Sequence, residues 1–251
     1  ITFFATPVTT MLFPAFSKLD AQKDKEVLKN VFQYSVKYAA LIVMPVTVMV
    51  MALAQPAIGT IFGGKFVQAP LYLALLSVIY LFSALGSLST GSLINGQGYT
   101  KYNLKLALLT VVIGFPLSFV LVSQFGIIGL IVATTVVGLP SFFLSLRFIK
   151  KNFGVSLDWV SSAKIAFSSA AAGVLTYAAI SQLPFSSPIQ LVIGVIVFVI
   201  AFLLLAVVTQ TLNKADLGNV REIANAMGPL RKPLTMVINL VEKLMNVVQS
   251  E

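Results

Sequence analysis

Residues 31–66 read VFQYSVKYAALIVMPVTVMVMALAQPAIGTIFGGKF, and the reading of this stretch decides the fold. No charged side chain occurs between Lys37 and Lys65. A helix that crosses the hydrocarbon core of a bilayer needs roughly 20 predominantly apolar residues, so 38–62 suffices for one complete span. The same criterion predicts further spans near 69–94, 104–123, 126–147, 162–182 and 189–212, and a truncated one at about 1–16. The expected fold class is all-α, a polytopic membrane helix bundle.

Composition points the same way. Of 251 residues, 58% are hydrophobic and 10% charged, whereas an ordinary soluble domain carries about 25% charged residues. Mean hydropathy is +0.96. The chain has no Cys, which excludes disulfides and thiolate chemistry, and no His, the commonest metal ligand and proton shuttle. All eight acidic residues fall in connections or the tail, leaving no carboxylate pair, metal cluster or nucleophile–base pair within the spans. No catalytic residue, metal or cofactor is expected, and the sequence does not read as an enzyme. A membrane-bound glycosyltransferase is disfavoured by the lack of acidic residues on any external loop.

The net charge of +9 acquires meaning from its placement. Lys18, Lys23, Lys25, Lys29 and Lys37 precede the second span, and Lys65 alone follows it. Lys101 and Lys105 lie in the next connection, then Arg147, Lys150, Lys151 and Lys164. Lys214, Arg221, Arg231, Lys232 and Lys243 fill the tail. Sixteen of the seventeen basic residues thus lie on one face, and the positive-inside rule places that face in the cytoplasm. The basicity is a topology signal for a multi-pass protein of the cell membrane, with charged loops and tail cytoplasmic and no nucleic acid as partner.

In the tail, Leu234, Val237, Ile238, Val241, Leu244 and Val248 share one helical face, opposite Glu242, Lys243 and Asn246. A shorter pattern at 216–227 repeats this, and Pro229 and Pro233 separate the two. Such amphipathic helices lie in the headgroup layer, with membrane lipids as partners, or pack on a subunit or on the chain's own loops. No basic segment before an apolar core marks a signal peptide. The chain divides into the truncated span (1–16), a charged helix or loop (17–37), a four-span lobe (38–147), a loop (148–161), two closing spans (162–212) and the tail (213–251).

Gly59, Gly64 and Lys65 have P-loop spacing, but Phe66 stands where a Mg²⁺-binding hydroxyl belongs and no strand precedes. The segment reads as a glycine-rich helix stop. Ser83, Ser87, Gly91 and Asn95 recur at four-residue spacing, with Ser77 and Tyr80 continuing that side. Such a stripe lines a water-filled path or lets two helices approach closely. Gly129, Ala133, Ser141 and Ser145 form a similar stripe, for which packing is favoured. Pro45, Pro116 and Pro140 interrupt spans and kink them.

LFPAFSKLDAQKDKE (12–26) followed by 31–66 resembles the second half of polysaccharide or oligosaccharide flippases of the multidrug/oligosaccharidyl-lipid/polysaccharide exporter superfamily. The similarity rests on Pro14 and Ser17-Lys18-Leu19 closing a span, Pro45 early in the next, and Phe62-Gly63 ending it. LINGQGYTKYNLKLALLTVVIG (93–114) and SQFGIIGLIVATTVVGLPSFFLSLRFIKK (123–151) are similar to the next two helices. The resemblance covers about 1–212 and implies the C-terminal lobe of a two-lobe transporter, with a missing N-terminal lobe as partner. The implied activity is translocation of a polyprenyl-(di)phosphate-linked oligosaccharide for polysaccharide or glycoprotein biosynthesis. A multidrug exporter of the same superfamily and a non-transporting scaffold subunit are the alternatives. A lipid-linked oligosaccharide needs polar partners for its sugar and cations for its phosphate. The candidates are Ser83, Ser87 and Asn95 for the former, and Lys37, Lys101 and Lys105 for the latter. Each lysine also reads as snorkelling to the interface.

Overall fold

The computed structural model describes residues 12–211 together with Ile1, Ala5, Gly218, Thr235, Asn239 and Glu242. The expected tail helices and most of the truncated span lie outside the described residues. Among the described residues the chain is helical and contains no strand. The helices are α1 (Lys25–Ala52), α2 (Ala54–Phe62), α3 (Ala69–Ser77), α4 (Ser87–Gly96), α5 (Thr100–Val136), α6 (Gly138–Phe153), α7 (Trp159–Ser181) and α8 (Ser187–Val208). Gly63–Lys65 and Val78–Leu85 are 3₁₀ segments.

Entry into α1 is set by Asp20, whose carboxylate accepts hydrogen bonds from the main-chain N–H groups of Gln22 (2.7 Å) and Lys23 (3.3 Å). Those bonds close a local turn and hold the Asp20 carboxyl below its usual range. Leu28, Phe32, Val36, Ala40, Val43 and Thr47 are buried along α1, and their three- and four-residue spacing makes them one face. The helix stops at Ala52 because Pro56 has no N–H for that carbonyl and its ring crowds it. Beyond α2, Gly63 takes φ 64° and Gly63–Lys65 makes a single 3₁₀ turn. The P-loop spelling is thus a helix stop.

The run from 100 to 153 is too long for one crossing, and it turns back. Gly126 departs from helical geometry with φ 57° and ψ −131°, a conformation that favours glycine. The Tyr102 hydroxyl donates to the Leu144 carbonyl at 3.3 Å, and the Thr110 and Ser141 hydroxyls lie 2.6 Å apart. These partners lie on either side of Gly126, the nearer pair almost equidistant from it, so the chain forms an antiparallel hairpin. At Gly129 a Cβ would lie 1.9 Å from the Leu121 carbonyl oxygen, a backbone approach that admits no side chain. Pro140 accounts for the α5–α6 boundary. It offers no N–H to Val136, while Val137 itself stays helical at φ −57° and ψ −34°.

The stretch at 69–96 differs from the straight helix its apolarity suggests. It bends by 54° between Ala69–Leu85 and Ser87–Gly96, at Gly86, which has φ 83°.

Four helical runs are long and apolar enough to cross a membrane, and the bent pair makes a fifth candidate. Helix α1 is the hub, packing against α7, the Val78–Leu85 segment and α3, while α8 packs against α7 and α2. At one end Phe16, Leu28, Phe32, Leu93, Ile94 and Phe153 form a closed core, which ties together the connections rich in lysine. The outside is apolar: Phe115 is 79%, Phe119 74% and Val112 68% exposed. The described residues form an all-α bundle of a multi-pass membrane protein.

Candidate functional site

The bend at Gly86 opens a cavity of about 450 Å³ between the Val78–Leu85 segment, α4, α5 and α6. A 3₁₀ run of 8 residues is long, since such runs usually stop after about three or four. Its last turn closes with the Gly86 N–H donating to the Ser83 carbonyl at 3.0 Å. The chain then restarts as α4, where the Thr90 hydroxyl donates back to the Gly86 carbonyl at 2.7 Å. The bend leaves Ser83 fully buried at the cavity wall, and its Oγ has no hydrogen-bond partner.

The wall opposite belongs to the hairpin. Asn103 on α5 donates its amide N–H groups to the Gly91 carbonyl (3.0 Å) and to Asn95 Oδ1 (2.8 Å), bridging α5 to α4. Ser141 on α6 donates to the Leu106 carbonyl at 2.9 Å and meets the Thr110 hydroxyl, which knits the hairpin's seam. Phe82 and Phe142 meet edge to face with centroids 6.2 Å apart. The two small-residue stripes of the sequence, at 83–95 and 129–145, thus contribute to opposite walls of one space. Among the described residues no acidic or basic side chain lines it.

Among the sequence candidates, Ser83 and Ser87 line the cavity, and Asn95 is held beside it by Asn103. Lys101 and Lys105 are exposed on α5 and do not line it. Lys37 sits on α1 close enough to Asp158 for its charge to act on that carboxyl. The structure therefore gathers the polar candidates and keeps the lysines apart. Sequence reasoning missed Asn103, the amide that joins two helices. The available signal was an Asn between Lys101 and Lys105 at the start of an expected span, eight residues after Asn95.

A second, polar pocket of about 550 Å³ opens at the lysine-rich end, with Lys18, Lys25 and Asn152 on its rim. Gln97 organises it. The amide Nε2 donates to the carbonyls of Phe16 (2.7 Å) and Leu19 (2.9 Å), while Oε1 accepts from the Ala21 N–H at 3.2 Å. The side chain of Gln97 thus clasps the Ser17-Lys18-Leu19 turn to the end of α4. Nearby, Asp158 caps α7, accepting from the N–H groups of Val160 (3.1 Å) and Ser161 (3.2 Å) and from the Ser161 hydroxyl (2.5 Å). The Ser161 hydroxyl is the main cause, with the two N–H groups and Lys37 adding to it, that holds the Asp158 carboxyl below its usual range.

With this geometry in hand, comparison with known proteins gives two matches. A family described as polysaccharide biosynthesis protein matches residues 1–71, the region that holds Ser17-Lys18-Leu19 and Phe62-Gly63. Over 224 residues the chain is 22% identical to a protein of Haloferax volcanii named probable low-salt glycan biosynthesis flippase Agl15. That match covers 86% of this chain and 46% of the relative, so the chain spans about half the length of the curated relative it matches. No solved structure is a significant match. Both matches agree with the resemblance to polysaccharide flippases carried by the motifs.

Proposed function

We propose that this chain is the C-terminal lobe of a flippase that carries a polyprenyl-phosphate- or polyprenyl-diphosphate-linked oligosaccharide across the membrane. The observation that carries the reading is an uncharged cavity, apolar over most of its wall but set with hydroxyl and amide side chains, inside a helix bundle whose outside is apolar. A glycan cannot cross hydrocarbon without hydrogen-bonding partners, and such a cavity offers them while the lipid tail stays in the bilayer. The similarity to a protein named as a glycan biosynthesis flippase supports the same reading. On it, the face bearing sixteen of the seventeen basic residues is cytoplasmic, and Ser83, Ser87 and Asn95 contact the glycan. Lys101 and Lys105, which flank Asn103 in sequence, supply point charges for the phosphate, and Lys37 is divided between that task and Asp158. A multidrug exporter of amphipathic cations fits less well, because no carboxylate lines the cavity.

The test is reconstitution of the full-length protein in vesicles with a fluorescent polyprenyl-diphosphate oligosaccharide. A glycosidase added outside reports the exposed pool. The protein is expected to make the inner-leaflet pool accessible over time, and Leu at Ser87 to slow this while the bundle stays folded. Accessibility no greater than in protein-free vesicles rejects the flippase reading.

A further inference from the structure

We infer that the cavity between the bent helix and the hairpin binds the uncharged, hydroxyl-bearing sugar part of the substrate and rejects its phosphate. The inference deepens the flippase reading and rests on it. It follows from how most of the lining hydroxyl and amide groups, Ser83 and Ser87 excepted, have already spent their protons. Thr90 donates to the Gly86 carbonyl, Thr135 to the Ile131 carbonyl (3.0 Å) and Ser145 to the Phe142 carbonyl (2.6 Å). Thr110 and Ser141 converge on the Leu106 carbonyl, each at 2.9 Å. Asn103 uses its amide N–H groups on Gly91 and Asn95. A hydroxyl has one proton and two lone pairs, and an amide oxygen has lone pairs alone. What these groups turn toward a ligand is therefore mainly acceptor capacity.

A phosphate oxygen is also an acceptor, and it carries charge. In this cavity it would meet mainly lone pairs, with the hydroxyls of Ser83 and Ser87 as the donors and no cation among the described residues, and burying an unpaired charge is strongly unfavourable. A pyranose ring brings hydroxyl donors to those lone pairs. Ser83 adds an independent observation. Its hydroxyl is completely buried in the wall and has no partner among the described residues; a turn about its Cα–Cβ bond brings to a ligand a group that can both donate and accept, as a sugar hydroxyl requires. The apolar walls at Phe82, Leu88 and Phe142 suit the C–H faces of such a ring. The volume also fits, since about 450 Å³ falls within the roughly 300–1,000 Å³ of small-molecule sites. The phosphate is left to cations outside the cavity.

Two amphiphiles with the same tail separate the alternatives: dodecyl maltoside, with a neutral sugar head, and dodecyl phosphate. The chain has no cysteine, so Ser87→Cys in the full-length protein in lipid nanodiscs, with any cysteine outside this chain replaced by serine, gives a single thiol in the cavity, probed with N-ethylmaleimide. Gly91→Cys is the second reporter, because a Cβ there meets only Asn103 Nδ2 at 3.9 Å. Val112→Cys on the exposed outer face is the control. The maltoside is expected to slow labelling in the cavity saturably, by about 3-fold at twice its dissociation constant, as mass action requires. The phosphate and the control should show no such slowing. Protection by the phosphate alone, by both amphiphiles or by neither overturns the inference, even if the vesicle assay shows flipping. Selective protection by the maltoside upholds it, and in a protein that fails the vesicle assay the flippase reading alone falls.

Discussion

A single carboxylate shows how the lysine-rich end is held. Asp158 caps α7 and lies near Lys37, and its pKa is lowered in the folded chain. A carboxyl whose pKa is lower folded than unfolded stabilises the fold above the unfolded value of about 3.9 and loses that effect as pH falls through the folded value. Replacing Asp158 with Ala is expected to cost about 0.5–2 kcal/mol, the usual worth of an N-cap, at pH 7. The electrostatic share is small because the group is partly exposed and screened. Thermal unfolding in detergent should show the gap between wild type and Asp158→Ala shrinking below about pH 4. A gap that stays constant into strong acid would mean the charge contributes nothing. Sequence alone shows Lys37 as a cation near a span end, available to a phosphate. It does not show Asp158 beside it, because the two residues meet only once α1 and α7 pack.

At the level of the element, the bend in the 69–96 stretch is the feature that hydropathy could not show. Apolarity measures which residues prefer lipid, and it is the same whether main-chain bonds run three residues back or four. The four-residue spacing of Ser83, Ser87, Gly91 and Asn95 therefore describes a continuous helix, whereas the chain breaks at Gly86, between the first two of them. Ser83 and Ser87 both reach the cavity, though by way of the bend. Gly86 carries that bend, and a Cβ there would sit 3.0 Å from Val36 Cγ2 and 3.2 Å from Leu157 Cδ2. Gly98 has the same φ of 83° with nothing within 4 Å. Gly98→Ala should cost about 1–2 kcal/mol from left-handed strain alone, and Gly86→Ala more, since crowding adds to the strain. Equal unfolding midpoints for the two variants would show that the bend is loosely packed. Asn103 escaped notice for a related reason: a stripe describes one helix, whereas a bridging amide is defined by two.

For the whole molecule, the all-α membrane bundle was legible in the sequence because long apolar runs between polar connections admit no other satisfied backbone in lipid. How the runs pack around α1 was not, because that depends on contacts such as Gly173 of α7 against Val48 of α1 that no single segment contains. Orientation is the prediction at this scale. The positive-inside rule puts Lys18–Lys37 and Ser186 on opposite sides, so single cysteines at Gln22 and Ser186 should label from opposite faces of the membrane, Gln22 from the cytoplasm. Labelling of both from outside the cell contradicts the charge argument. The clasp made by Gln97 carries a different consequence. All three of its partners are main-chain atoms, the carbonyls of Phe16 and Leu19 and the N–H of Ala21; every residue type supplies such a carbonyl, and every type but proline such an N–H. The clasp thus reads the path of the turn and is blind to the side chains along it. Substitutions can accumulate in that turn at no cost to this joint, so a fold can outlast sequence similarity as thin as 22% identity.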